Sequence, residues 1–352
     1  MTGRFPGDLH VRRSEDGTLT LTVSLTFERY LEGIAEVPSS WPRAALEAQA
    51  IAARSYALAT TGWDGREGEP LRQAICATTS CQVYRGIPVP PDPDHRRWVR
   101  AVRRTDGQVL LHDGRPATTV YFSTSNGRTY ANEDVFGSSP LPYLRSVPER
   151  DDGRSPTSRW RVEVPFRDLT RFLRVGRLWP AGRAIARVRT HGDSITLRGG
   201  AAARTVDTAD LRDAVNTWAP CLRPGRYPAR TAKGTLPLTI PSRWVRFSVE
   251  GRRLVATGRG WGHGAGMVQW GAEGKARRGL SAADILAYYY GGLRPEGYPE
   301  PGRIRVQVAT GLVALRIVPS RPGGRIGARA LGPGPVVVTG GDRLRIERAG
   351  RG

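Results

Sequence analysis

Three short stretches combine polar, aromatic and glycine residues where a packed core would be aliphatic. The first is Glu36 in GIAEVP, followed by Gln49 and Arg54. A carboxyl group between Ile34 and Val37 can be partly withdrawn from water, which favours the protonated acid that donates to a leaving oxygen. The positive end of a following helix favours the carboxylate instead. The sequence leaves that balance open, and a capping or surface role competes with catalysis. The second stretch runs from Ser123 through Ser125 and Gly127 to Thr129, at the end of a predicted strand. Short hydroxyls and a glycine suit close approach of a hydroxyl-rich ligand, and they suit an ordinary turn equally well. The third is Gly260 to Ala272, GWGHGAGMVQWGA, with four glycines in its first seven residues around His263. That density costs backbone entropy, so the segment needs unusual dihedrals or a close approach. It has neither the GxGxxG spacing nor the GK[ST] ending of a phosphate loop. A tight strand-to-helix junction with His263 bonded inside is the competing reading.

Cys76 and Cys81, in CATTSC, are two of three cysteines, the third being Cys221. Their spacing permits a small loop-closing disulfide in an oxidising compartment or a free thiol pair. A zinc site would want more ligands, and no histidine lies inside the loop.

Several elements must position these groups. TLTLTVSLTF (18–27) alternates as a half-buried strand. RAALEAQAIAARSYALAT is the clearest helix, with Pro42 suited to its first position, Ser40 as a cap, and Gln49 and Arg54 off the Leu46, Ala50, Ala53, Ala57 stripe. Residues 98–125 read as strands, WVRAV followed by a hairpin turning at Asp113-Gly114. From 160 to 221 the pattern mixes RVEVP, a short helix at 166–174 and paired strands in ARVRTHGDSITLRG, and 222–242 reads as a Pro- and Gly-rich extended connection. RWVRFSVEGRRLVATG reads as another strand pair, and Ser281 caps a helix that ends before Gly291. The tail from 301 alternates as strands and reads as a small β appendage. The fold class expected is α+β, with mixed, largely antiparallel sheets and a few helices forming a substrate cleft.

The whole chain has 352 residues with 39% hydrophobic content, including nine Trp, eleven Tyr and seven Phe, which is too apolar for global disorder. No window reaches the roughly 18 uninterrupted apolar residues of a membrane span. The formal charge is +22, carried by 52 arginines and only two lysines, Lys233 and Lys275. Such a field favours anionic partners, although a GC-rich genome produces the same arginine excess.

In order along the chain, YLEGIAEVPSSWPRAALEAQAIAARSYAL, CQVYRG, AVRRTDGQVLLHDG with VYFSTSNGRT, PYLRSV and GRGWGHGAGMVQWGAEGKARRGLSAADILAYYYGG resemble the SpoIID/LytB family. The resemblance covers most of residues 25–297, with a less familiar inserted segment at about 160–240. It implies a catalytic domain over 25–297, an N-terminal extension at 1–24 and a β-rich extension at 298–352. It also implies a lytic transglycosylase that cuts peptidoglycan glycan strands between N-acetylmuramic acid (MurNAc) and N-acetylglucosamine (GlcNAc), leaving 1,6-anhydro ends. Glu36 maps onto the family's catalytic acid. One carboxyl group suffices for such chemistry, unlike the paired carboxylates of ordinary glycosidases. By the same resemblance Arg54 lines the cleft, and Gln82, Tyr84, Ser123, Ser125, Gly127, His263, Gln269 and Tyr290 bind or stack on sugar. Some members hold zinc near the second motif through Cys and His. The absence of a histidine between Cys76 and Cys81 makes a disulfide the reading here, with no metal and no cofactor expected.

The competing reading is a non-catalytic wall-binding module that enhances a cell-wall amidase. A nucleic-acid partner is not expected, because no recognised module for one is present. The first residues, MTGRFPGDLHVRRSEDG, lack the apolar core of a secretory signal. An extracytoplasmic, cell-wall location is therefore expected from the implied substrate alone.

Overall fold

The computed structural model describes residues 4–66, 71, 73–88, 93–228, 239–319 and 334–348, with the backbone alone of 230–231, 234–235, 325–326 and 329–330. The architecture is α+β, with helices set among mostly antiparallel sheets. The chain divides into two compact units, one made of Met1–Thr119 with Arg294–Gly352, the other of Val120–Leu293.

In the first unit the strand Leu19–Thr26 buries Leu19, Leu21, Val23 and Leu25, as the period-two pattern requires. It pairs antiparallel with Asp8–Arg13 on one side and Arg303–Leu312 on the other. Residues 303–312 are thus an inner strand of this sheet rather than part of an appendage, because Ile304 and Val306 lie opposite Leu25 and Val23 and, with Val308 at the register shift that follows, are buried. The later strands Ala314–Ile317, Val336–Thr339 and Arg345–Arg348 do form a small antiparallel sheet of their own.

The helix Arg43–Thr61 forms where expected, but Pro42 is its cap residue and Ser40 makes no capping bond. Gln49 and Arg54, expected to turn away from the apolar stripe, are each 1% exposed. Alanines at 45, 48, 50, 52, 53 and 57 let neighbouring chain approach from every side, so this helix has no solvent face along its middle. Residues 95–104 are a helix, His95–Arg104, where a strand was expected at 98–102. Trp98, Ala101 and Val102 are its buried positions, a spacing of three and four that belongs to a helical face. The hairpin that follows is present, with Gln108–His112 paired to Arg115–Pro116 and positive φ at Asp113 and Gly114.

The second unit contains the expected strands Trp160–Pro165, Val245–Glu250 and Arg253–Gly258 as one antiparallel sheet, and Arg187–His191, Ser194–Gly199 and Ala202–Asp207 as another. Helices Phe166–Val175 and Thr208–Leu222 share a core with both sheets, built on Leu169, Phe172, Leu173, Ile195, Leu197, Leu211, Val215 and Leu254. The helix at 208–222 was not anticipated. Much of the connection expected at 222–242 lies outside the described residues. Ser281 caps Ala282–Tyr289 by accepting the Asp284 amide, as its sequence predicts.

Candidate functional site

Glu36 sits just after a short extended segment that folds against the residues following the cysteine loop. Ile34 and Tyr84 form an antiparallel bridge, the Ala35 amide donates to Val83 O at 2.9 Å, and the Arg85 amide donates to Gly33 O at 3.0 Å. This pairing brings the Val83 amide to Glu36 Oε1, to which it donates at 2.6 Å. The carboxylate is half-buried. Gly33 is required here, because a Cβ would come within 2.4 Å of the Tyr84 ring. Cys76 and Cys81 are joined by a disulfide, with Cα atoms 5.5 Å apart, and close the loop directly before Gln82.

Two phenols that the sequence reading missed lie in the field of Glu36. Burial, then the charge of Glu36, raises the pKa of Tyr30 well above its usual range. Burial also raises that of Tyr56, with a smaller contribution from Glu36. Both flank motif residues, in ERYLEG and ARSYAL, yet nothing in composition separates them from other core tyrosines.

Gln82 and Tyr84 pack on Tyr30, and Arg54 is held elsewhere in the same unit. Gln82 is 0% exposed; its Oε1 accepts from Tyr30 Oη, and its Nε2 donates to Ala53 O at 3.0 Å. Tyr84 is buried, stacked on Tyr30 at 5.4 Å, and burial raises its pKa. Arg54 faces inward rather than lining a cleft: it donates to Thr105 Oγ1 at 3.2 Å and Val102 O at 3.1 Å and is ion-paired with Glu300. The reason is that the helix carrying it is enclosed. Gln82, Tyr84 and Arg54 are therefore supports placed beneath the surface.

In the second unit the glycine-rich segment and the Ser123–Thr129 turn are brought together. Thr124 and Trp261 exchange backbone hydrogen bonds at 3.0 and 2.8 Å, and the parallel pair Tyr121–Phe122 with Met267–Val268 extends the contact. Gly260, Gly262, Gly264 and Gly266 all have positive φ. At Gly266 the approach is closest, since a Cβ there would lie 2.0 Å from Val120 O.

His263 uses both ring nitrogens internally. Nδ1 accepts from the Ala265 amide at 3.1 Å, which leaves Nε2 as the N–H that donates to Tyr121 O at 2.9 Å. Desolvation pushes its pKa down to about 4, with the bond to Tyr121 opposing and the charge of Arg243 adding to the fall. The ring is a neutral brace, so sugar hydrogen bonding through it, expected from the sequence, is corrected. Tyr290 is likewise buried, donating to Val120 O at 2.9 Å instead of meeting a ligand.

Ser125 is buried and bonds to the Gly127 amide at 2.9 Å, while its own amide donates to Asp152 at 2.7 Å. Burial raises the pKa of Asp152. Ser123 is half-buried and Gly127 exposed, and Gln269 is buried as the first residue of the helix Gln269–Arg277. Beneath the turn, Lys275 Nζ lies 3.1 Å from Glu149 and 2.8 Å from Asp151, with the Tyr288 ring centroid at 4.3 Å. Among the described residues no group of three or more His, Cys, Asp or Glu could hold a metal ion.

A protein with these sheets and this buried support around one carboxylate can be set beside known ones. The SpoIID family profile, described as stage II sporulation protein, matches residues 15–112. The chain is 25% identical over 283 residues to stage II sporulation protein D of Bacillus subtilis (strain 168), a match covering 76% of this chain and 74% of that protein. It is 28% identical over 281 residues to an uncharacterized protein of Brachyspira hyodysenteriae, covering 78% of this chain and 68% of the relative. It is 26% identical over 308 residues to the amidase enhancer of B. subtilis, covering 75% of this chain but only 39% of that longer protein. Together these matches support assignment of the chain to the SpoIID/LytB family.

Proposed function

We propose that the protein is a peptidoglycan lytic transglycosylase that cleaves the MurNAc–GlcNAc bond and leaves 1,6-anhydro-MurNAc ends, with Glu36 as its single general acid and base. The family and the amidase-enhancer relative support a cell-wall-related role. An extracytoplasmic location fits that role. No helix among the described residues is long and apolar enough to cross a membrane.

The observation that carries the reading is the seat of Glu36: a half-buried carboxylate, fixed by a main-chain N–H, inside the segment the family profile matches. In the reaction, protonated Glu36 gives its proton to the glycosidic oxygen as the bond from that oxygen to the anomeric carbon breaks. The sugar's own 6-hydroxyl oxygen then bonds to that carbon, and its proton returns to the Glu36 carboxylate. The cycle consumes no water and ends with Glu36 protonated as it began. Tyr30, with Gln82 and Tyr84 packed on it, acts to position Glu36, while Arg54 ties its helix to Thr105, Val102 and Glu300. Ser123 and Gly127, the accessible members of the second-unit turn, contact glycan.

Glu36→Gln tests this, with digested peptidoglycan analysed by mass spectrometry. Anhydro-muropeptides are expected from the parent protein and not from the variant; product from the variant at the parent's rate would remove Glu36 from the chemistry. The amidase-enhancer relative favours a second reading, a wall-binding module without catalysis. Wall binding and stimulation of a separate amidase, with no anhydro product from the parent protein, would establish it.

A further inference from the structure

Positive charge without acidic partners is gathered at one end of a sheet in the second unit. Trp160, Gly258 and Val245 lie in register across one end of the sheet Trp160–Pro165, Arg253–Gly258, Val245–Glu250. A groove of about 590 Å³ opens there, lined by Arg159, Trp160, Arg243, Trp244, Arg246 and Arg259. All four arginines are exposed, and none forms an ion pair with a described carboxylate. On the same sheet Arg161 and Arg253, away from the groove, are paired with Glu163 and Glu250, whereas Arg246 at the groove is not.

The aromatic rings between these cations are fixed. Trp160 Nε1 donates to Gly260 O at 3.1 Å. Its ring occupies the space a side chain at Gly258 would need, since a Cβ there would lie 2.3 Å away. Trp244 stacks on Tyr130 at 5.5 Å and 16°. The Arg243 guanidinium lies 5.5 Å from the Tyr130 centroid and 5.8 Å from that of Trp244. Rings held this way lose little freedom when a ligand stacks on them.

We propose that this groove binds an acidic wall polysaccharide, with sugar rings against Trp160 and Trp244 and acid groups paired by the four arginines. Aromatic faces take the C–H faces of sugars, and guanidinium forks take carboxylate or phosphate in two parallel hydrogen bonds. Several unpaired cations along one groove call for a ligand whose charges repeat, which a neutral oligosaccharide does not offer. The shared chemistry is an acid group on a sugar polymer, either the carboxylates of muramic residues and their peptides or the phosphodiesters of a wall polymer. The choice of polysaccharide over nucleic acid rests on the cell-wall reading above.

The test measures binding of the whole protein to three probes: purified peptidoglycan strands, phosphodiester wall polymer, and neutral chitin oligosaccharide. Single-stranded DNA serves as competitor. Arg243→Ala with Arg246→Ala is expected to weaken binding to one acidic polymer at least tenfold and to flatten its salt dependence, with melting temperature unchanged. The polymer affected identifies the source of the acid group. Trp244→Ala is expected to weaken the same probe. Equal affinity of the arginine variant and the parent for both acidic polymers overturns the proposal, as does DNA displacing both. Anhydro-product formation is scored separately on the parent protein. Its absence beside arginine-dependent binding would count against the transglycosylase reading alone, and product without arginine-dependent binding would count against the groove alone.

Discussion

The motif residues of the first unit and those of the second are used in opposite ways. Around Glu36, partners converge on one half-buried carboxylate: the Val83 amide bonds it, while buried Tyr30 and half-buried Tyr56 lie in its field. Around His263 the polar groups are turned back onto the main chain, both imidazole nitrogens and the Ser125 hydroxyl being taken by backbone groups. The groove lined by Trp244 and four arginines is a separate polar surface of that unit. A motif of polar residues can thus mark either a reactive group with its supports or a fold junction that must satisfy its own amides. Sequence spacing does not separate the two.

Substitutions sharpen that contrast. Glu36→Gln is expected to have the largest effect, a fall in product formation of roughly 10²- to 10⁴-fold with little change in melting temperature. Comparable destabilisation of the fold would make Glu36 a structural residue like His263. Next is Lys275→Met, which leaves Glu149 and Asp151 without their buried cation and should cost about 3–5 kcal/mol by chemical denaturation. A loss under 1 kcal/mol would mean that the cluster under the turn is not what holds it.

His263 supplies a pH-dependent effect. Its pKa is about 4 in the fold and about 6.5 in the unfolded chain, so the unfolded state binds more protons between those values. The contribution is complete above pH 6.5 and is lost as pH falls toward 4, by roughly 3 kcal/mol at most. Thermal melts between pH 7 and pH 4 should show this slope in the parent and a shallower one in His263→Gln. Equal slopes would show that the ring is not held neutral. The smallest effect is expected from Cys76→Ser with Cys81→Ser, which opens a loop of sequence separation 5 and should cost about 2 kcal/mol. Unchanged stability of the first unit after reduction would show that the bridge does not constrain the approach of Val83 to Glu36.

Much of this was legible in advance. The alternation in TLTLTVSLTF, the Ala-rich helix, the Asp113-Gly114 turn and the Ser281 cap are local signals, and each formed as its residues required. The reading failed where a local pattern was ambiguous or a distant partner decided. HRRWVRAVRR carries a helical period hidden by its arginines, and a β-branched pair in its centre suggested a strand. The family resemblance placed Arg54 along the cleft and Gln82 against sugar. Their burial depends on Glu300, Thr105, Tyr30 and Ala53, which no spacing rule connects to them. The unpaired arginines of the groove were invisible in a chain with 52 of them, since only the fold shows which lack an acid.

The pairing of Leu19–Thr26 with Arg303–Leu312 has a consequence for biosynthesis. The unit that holds Glu36 is discontinuous in the chain and cannot close its sheet until residues beyond 303 leave the ribosome, whereas Val120–Leu293 is continuous and available earlier. The nascent chain must therefore carry its first hundred residues half-assembled while the intervening unit matures. A stop codon anywhere before residue 303 would strand them without an inner partner.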